Sequence, residues 1–239
     1  MKKLLAAALL SLPAAFAHAG QAAAQVNAYF DIWLQQHEFH AYEKRADGLW
    51  FPSAGMRLDG DVYQVKEITP GKVYTVESRV TLTLRDGRRL EDFVGGMGTD
   101  PQRAFEDSLQ NLCLTTLEPL YAALFDRDDA NVRKSEWTIA GTARPVFLAS
   151  WGQRGELVDA TTQAAVERLI AQGLARAPLS GDIHWLKLVV LVGKDKLDNV
   201  SIAIDGEESP ALLADLQHFD WPHPKTVSMA KLFVVIGPR

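Results

Sequence analysis

The chain has 239 residues, 47% hydrophobic and 23% charged, enough length and apolar content to bury one large core or two smaller ones. Its net charge is -5 and no basic stripe runs through it, which argues against a dedicated nucleic-acid binder. Cys113 is the single cysteine, so an intramolecular disulfide framework is excluded and stability falls to the core.

Residues 1–19 read as a leader rather than as fold. Lys2 and Lys3 precede an apolar run over 4–17, and Ala17-His18-Ala19 puts small residues at the two positions a signal peptidase reads. The run is shorter than the roughly 20 apolar residues a spanning helix needs. Cleavage is expected after Ala19, with a second small-residue site over 22–24. A periplasmic or secreted protein with no membrane span follows as the expectation. Cleavage removes two lysines and no acid, so the mature chain is more acidic still. No cysteine near the cut offers a lipoprotein anchor.

After the leader, Val26, Tyr29, Phe30, Trp33 and Leu34 fall at helical spacing and predict a helix. A β region follows. Over 73–84, Tyr74, Val76, Val80, Leu82 and Leu84 alternate with Thr75, Glu77, Arg79, Thr81 and Thr83, the pattern of a half-buried antiparallel strand with one wet face. Asp86-Gly87 predicts a two-residue hairpin turn into a return strand over 88–94. Upstream, 69–72 (TPGK) turns the chain back from VYQVKEI, which makes a three-strand meander.

At the end of this meander stand Gly95, Gly96 and Gly98, a candidate phosphate cradle. A Walker loop needs a lysine after the last glycine, and none follows; the next charges include Asp100, Glu106 and Asp107, which would repel an anion. The dinucleotide pattern G-x-G-x-x-G has Pro101 where its third glycine belongs. A helix start remains: Thr99 or Asp100 as cap and Pro101 at the first position. The second half repeats the layout, with Gly206, Ser209 as cap and Pro210 opening a helix after a hairpin. The glycines are therefore read as architecture.

The helix from Pro101 carries Phe105, Leu109, Leu112, Leu117, Leu120 and Leu124 on one broad face, with Cys113 beside them as a small buried hydrophobe, and Pro119 should kink or break it. The polar run 126–135 is the expected boundary between an N-terminal half, 20–130, and a C-terminal half, 131–239. In the latter, EWTIAG and RPVFLASWG predict two short strands. ATTQAAVERLIAQG predicts a helix capped near Thr161 or Thr162 and stopped by Gly173. IHWLKLVVLVG is apolar on both faces, a central covered strand, and KTVSMAKLFVVIG is the final strand. The class is α+β, mostly antiparallel sheets with packed helices, in two similar strand-hairpin-helix halves.

Candidate chemistry is sparse. His37 and His40 have a spacing that two metal ligands can share, and His218, Asp220 and His223 cluster in HFDWPH, but no third ligand is identifiable beside the first pair and the second reads as a surface loop. DRDDAN begins like a calcium loop yet has Asn131 in place of the sixth-position glycine and Trp137 in place of the twelfth-position glutamate. Ser228 and Lys231 match S-x-x-K without the partner motifs and within a strand-like run. Cys113 lacks electropositive neighbours that would activate it. Of six tryptophans, Trp33, Trp137 and Trp185 are expected in the core, and Trp50, Trp151 and Trp221 near turns and exposed. No catalytic residue and no cofactor is assigned.

Two segments carry a family likeness. FVGGMGTDPQRAFEDSLQNLCLTTLEPLYAAL after a D-G hairpin, and HWLKLVVLVG…IDGEESPALLADLQHFDWP…KLFVVI, resemble the bacterial DUF6348 family over most of the chain beyond the leader. The family's name records an unassigned function, so the resemblance implies the two-part α+β fold and no chemistry. The functional expectation is an exported, non-enzymatic module that binds another protein, an accessory or immunity-like factor whose acidity suits a basic partner. The alternative is a metal- or small-molecule-dependent periplasmic enzyme or binder that gathers His37, His40, His218 and His223.

Overall fold

Strand alternation in the first half and doubly apolar strands in the second produce two different sheets. The structure, a computed structural model, describes residues 19–125, 131–154, 159–176, 179, 181, 183–193 and 196–237. The expected leader up to residue 18 lies outside the described residues, as does the stretch 126–130 that holds most of DRDDAN and the expected boundary. The chain divides into two compact units, Met1–Cys113 and Leu114–Arg239, and each carries helices and one antiparallel sheet. The class is α+β.

In the first unit, α1 (Ala19–Gln36) precedes β1 (Glu43–Arg45), β2 (Gly48–Phe51), β3 (Met56–Thr69), β4 (Val73–Thr83) and β5 (Arg89–Gly98), paired in chain order as a five-stranded meander. The three strands expected from sequence are its last three. β1 and β2, at three and four residues, are too short to show a period. α2 (Pro101–Leu112) follows β5. The inner face of β4 buries Val76, Val80 and Leu82, α1 buries Val26, Phe30, Trp33 and Leu34, and α2 buries Phe105, Leu109 and Leu112. Ser78 is the one polar residue on that inner row of β4; it is fully buried and shares a 2.9 Å hydrogen bond with Ser108 of α2. On the solvent side of α1, Asp31 accepts from Tyr42 Oη at 2.5 Å, Lys44 Nζ at 2.7 Å and Gln35 Nε2 at 3.0 Å, which fastens the approach to β1.

The β4–β5 turn corrects the sequence reading. Leu84 N donates to Arg88 O at 2.8 Å and Gly87 N to Leu84 O at 3.0 Å, so the loop has three residues, 85–87, rather than two. Only Gly87, at φ 85°, is left-handed; Asp86 keeps negative φ and accepts from Arg88 N instead. Two-residue hairpin turns occur elsewhere, at Ala140 and Gly141, with φ 49° and 77°, and at Asp205 and Gly206, with φ 56° and 90°.

The second unit holds α3 (Glu118–Phe125), β6 (Val132–Ile139), β7 (Thr142–Arg154), α4 (Ala160–Arg176), β8 (His184–Val192), β9 (Leu197–Ile204), β10 (Glu207–Glu208), α5 (Pro210–Gln217) and β11 (Ser228–Ile236). Its six strands run in the order β10-β9-β8-β11-β7-β6, so β8 is interior as expected and the last strand, β11, inserts beside it. One row of each central strand, Leu186, Leu188, Val190 and Val192 with Ala230, Leu232, Val234 and Ile236, packs with Val166, Ile170 and Leu174 of α4 and Leu212 and Leu216 of α5. The opposite row buries Trp185, Phe233 and Val235 beside Phe147.

Helix ends show where local signals were overruled. Asp100 caps α2, accepting from Arg103 N at 2.9 Å, with Pro101 in the first turn. Before Pro119 the helical run widens into a π turn, Cys113–Leu117, and continues as α3 from Glu118, so the proline is accommodated by the wider turn and does not end the helical run. α4 is capped by Asp159, not by Thr161 or Thr162: its carboxylate accepts from Thr162 N at 2.7 Å. Gly173 does not stop α4, which continues to Arg176; the glycine makes room for α5, since a Cβ there would fall 2.0 Å from Leu212 Cδ2. No helix among the described residues is long and apolar enough to cross a membrane.

Candidate functional site

Gly95, Gly96 and Gly98 belong to β5 itself, not to a loop, and none has positive φ. A Cβ on Gly96 would stand 2.1 Å from Ser108 N and 2.3 Å from Ala104 O, and one on Gly98 2.4 Å from Ala104 N. These two glycines let the backbone of α2 lie against the strand. Gly95, one residue out of phase, faces the other way, and a Cβ there meets nothing within 4 Å. An extended strand in contact with a helix side does not present converging N–H groups, so its geometry is that of packing rather than of a phosphate cradle.

The histidines singled out by spacing are placed singly. His37 stacks on Trp33 with ring centroids 3.8 Å apart and donates from Nδ1 to Trp33 O at 2.8 Å. His40 is exposed. His218 ends α5 and donates from Nδ1 to Ala214 O at 2.7 Å, and His223 is exposed in the following loop. Among the described residues no three His, Cys, Asp or Glu side chains are grouped to hold a metal ion. Ser228 and Lys231 lie three apart in β11, so they point to opposite faces; Ser228 is buried and donates to Thr226 O at 3.0 Å. Cys113 is buried and free of disulfide, and burial, with Cys113 beside it, raises the Tyr29 phenol above its ordinary value.

Trp33, Trp137 and Trp185 are core residues as expected, and Trp50 is half-buried. Trp221 departs from expectation. It is 4% exposed, donates to Leu216 O at 2.9 Å and meets Phe219 edge-on at 4.8 Å, which turns HFDWPH into a loop nailed to the core. The Trp151 side chain lies outside the described residues.

A different histidine has the most organised surroundings. His184 opens β8, is 1% exposed, and donates from Nδ1 to Asp205 Oδ2 at 2.7 Å. Asp205 holds a left-handed φ of 56°, accepts from Trp185 N at 2.9 Å and donates its own N–H to Trp185 O at 2.7 Å. The carboxylate thus fixes the tautomer and leaves His184 Nε2 as a buried acceptor without a donor among the described residues. Such a nitrogen can take a proton or a hydrogen bond from a small molecule. Sequence spacing could not find it, since 20 residues separate Trp185 from Asp205; the sole hint was Asp205-Gly206 at the end of an apolar strand.

The five-stranded sheet supplies the other candidate. α1 and α2 occupy one face; the other presents Arg57, Asp59, Glu77, Arg79, Glu91 and Phe93 at half exposure. At one end Trp50 lies under Arg45, 4.5 Å from ring centre to guanidinium carbon, and donates to Asp47 Oδ1 at 3.2 Å. Burial raises Asp59 above the usual carboxylate range, against the pull of Arg57 at 3.2 Å. At the other end Tyr63 is 58% and Met97 62% exposed, and Tyr63 meets Phe93 edge-on at 4.9 Å.

The β5 edge of the sheet is blunted. Along β5, Phe93 N donates to Asp92 Oδ1 at 2.8 Å, Met97 N to Asp107 Oδ2 at 2.9 Å, and Gly95 O accepts from Asn111 Nδ2 at 2.9 Å. On the opposite side β1 is three charged residues long, and β3 beyond Leu58 has no partner strand on its outer side among the described residues. Strand addition along β5 and β1 is thereby discouraged, and the open face offers its side chains for contact.

The sequence model of DUF6348, a family of unknown function, matches residues 45–238, and the chain belongs to that family. The match takes in β2 through β11, hence both sheets. No curated protein and no solved structure matches the chain.

Proposed function

We propose that this member of the DUF6348 family is a non-enzymatic protein-binding module, acting outside the cytoplasm after export, whose contact surface is the open face of the five-stranded sheet. One observation carries the reading: a sheet sealed on one side by two helices keeps Tyr63 and Met97 more than half exposed on the other. Large apolar side chains left bare beside charged ones are the make-up of a transient protein interface. An accessory or immunity-like role suits a chain with net charge -5, which steers basic partners.

Photocrosslinking tests this. A benzoylphenylalanine placed at Tyr63 or Met97 of the full chain, expressed with its leader, should give discrete protein adducts, and one at exposed Gln110 of α2 should not. Adducts that are absent, or equal at all three positions, would sink the reading. The mass of the purified chain reports in the same experiment whether cleavage follows Ala19. The alternative, small-molecule or metal chemistry that gathers His37, His40, His218 and His223, has one supporting observation at a different histidine: His184 Nε2, buried with no hydrogen-bond partner among the described residues.

A further inference from the structure

We infer that the open face holds a recognition site for one cationic side chain, lysine or arginine, of a partner protein: a hollow over Gly95 with the Glu77 carboxylate as its anion and Tyr63, Phe93 and Met97 as its walls. The inference rests on the reading of this face as the contact surface and adds what the face recognises.

Register builds the hollow. Glu77 of β4 is paired with Gly95 of β5, and the neighbouring pairs on the same face are Arg79 with Phe93 and Thr75 with Met97. Directly opposed residues stand about 5 Å apart and diagonal ones about 7–8 Å, so Phe93 and Met97 flank the gap that Gly95 leaves in front of Glu77. That gap is open, since a Cβ on Gly95 meets no heavy atom within 4 Å. On the other side of Glu77 the β3–β4 register shifts between Val62 and Gln64, and the extra residue is Tyr63. The bulge turns its ring across β4 onto Phe93, at 4.9 Å and 70°. A regular strand would not place two aromatic rings together beside this carboxylate.

Charge selects the occupant. The other acids of the face are engaged: Asp59 with Arg57 at 3.2 Å, Glu91 with Arg89 at 3.3 Å, Asp61 with Val62 N at 2.7 Å. The Glu77 carboxylate makes no ion pair and no hydrogen bond with any described residue, although Arg79 lies two residues along on the same face, between Asp61 and Phe93. A half-exposed anion beside two aromatic rings and a thioether suits a cation whose aliphatic stem lies on the apolar walls. An anionic or purely apolar ligand would leave Glu77 desolvated without return.

The test is an NMR titration of the full chain with Nα-acetyl-lysine N-methylamide, its arginine counterpart, and the Nζ-acetylated lysine compound as the neutral control. Either charged probe should shift the Gly95 amide and the Met97 methyl, and the acetylated one should not. Glu77→Gln should weaken binding about fivefold, the scale of an exposed ion pair. Gly95→Leu, at an exposed position, should fill the hollow and abolish the shifts with the fold intact. Equal response to the acetylated probe, shifts unchanged in Glu77→Gln, or no response at Gly95 and Met97 overturns the assignment. Photoadducts at Tyr63 that persist in Glu77→Gln and Gly95→Leu would overturn the hollow and leave the face as contact surface. Adducts missing from the unaltered chain would remove the face as well.

Discussion

The five-stranded sheet keeps one face in water, whereas the central strands of the six-stranded sheet bury residues on both. In β4, half-exposed Thr75, Glu77 and Arg79 alternate with buried Val76, Ser78 and Val80. In β8 and β11 neither row is fully wet, and Trp185, Phe233 and Val235 are buried opposite the main core. The difference decides where polar groups can be spent. On the open sheet a carboxylate such as Glu77 keeps its water and can wait for a partner. Inside the covered sheet a buried polar group draws its partners from the protein: Arg144, 3% exposed, donates twice to Gly237 O at 3.0 and 2.7 Å, whereas His184 is matched on only one of its two nitrogens among the described residues.

The sharpest way to break this comparison is on one strand, β5, whose two faces meet opposite surroundings. Gly96→Val should cost about 3 kcal/mol or more in urea unfolding, because its Cβ would overlap the backbone of α2. Gly95→Val, facing open space, should stay within about 0.5 kcal/mol. Equal costs would show that helix and strand are not in contact at Gly96.

A smaller effect is expected in the closed sheet. His184→Ala removes the partner of a largely buried carboxylate and should cost about 2 kcal/mol, with Asp205→Asn costing less since the Trp185 bond survives. Native mass spectrometry of the same variant serves the alternative function: a small molecule bound to the unaltered chain and missing from His184→Ala would carry it, and stability loss alone would mark His184 as a structural pin.

The smallest effect lies at the surface of α1. Burial pushes the Asp31 carboxyl up, but hydrogen bonds from Lys44 and Tyr42 outweigh it and hold it below the usual carboxylate range. A lowered value means the stabilisation is complete above the ordinary value of about 4 and is lost as pH falls through the folded one. Asp31→Asn should therefore cost about 0.5 kcal/mol at neutral pH, discounted for the exposure of Lys44, and the gap should close below about pH 4. Burial and the Asp31 bond also push the Tyr42 phenol up to about 12. Its ultraviolet titration should move part of the way back toward 10 in the variant, while an unmoved curve would deny the contact.

Much of the covered architecture could be read from the chain because it repeats a short period. β4 was found by alternation, α1 and α2 by their apolar stripes, and β8 as a covered strand by having no polar face. β1, β2 and β10 were missed since two to four residues carry no period. The cap of α4 is ambiguous in the sequence because three positions within four residues, Asp159, Thr161 and Thr162, can all cap, and only backbone geometry chooses Asp159. The candidate sites were less legible for a related reason. His37 and His40 drew attention by spacing, yet His184 meets Asp205 across a hairpin, and Tyr63 reaches Phe93 across β4 by way of a bulge.

By itself the sequence determined the α+β class, the family, the balance of charge and the absence of a disulfide scaffold, all of which depend on composition, period or short motif. Tertiary structure decided which face of each strand was covered, and so turned Gly96 and Gly98 into a helix seat and left Gly95 as open space. It also decided that the last strand, β11, lies between β7 and β8. The physical reason is common to these cases. A residue's own chemistry is local, but whether its neighbour is water, a helix backbone or a carboxylate is set by strands that pair across long stretches of chain.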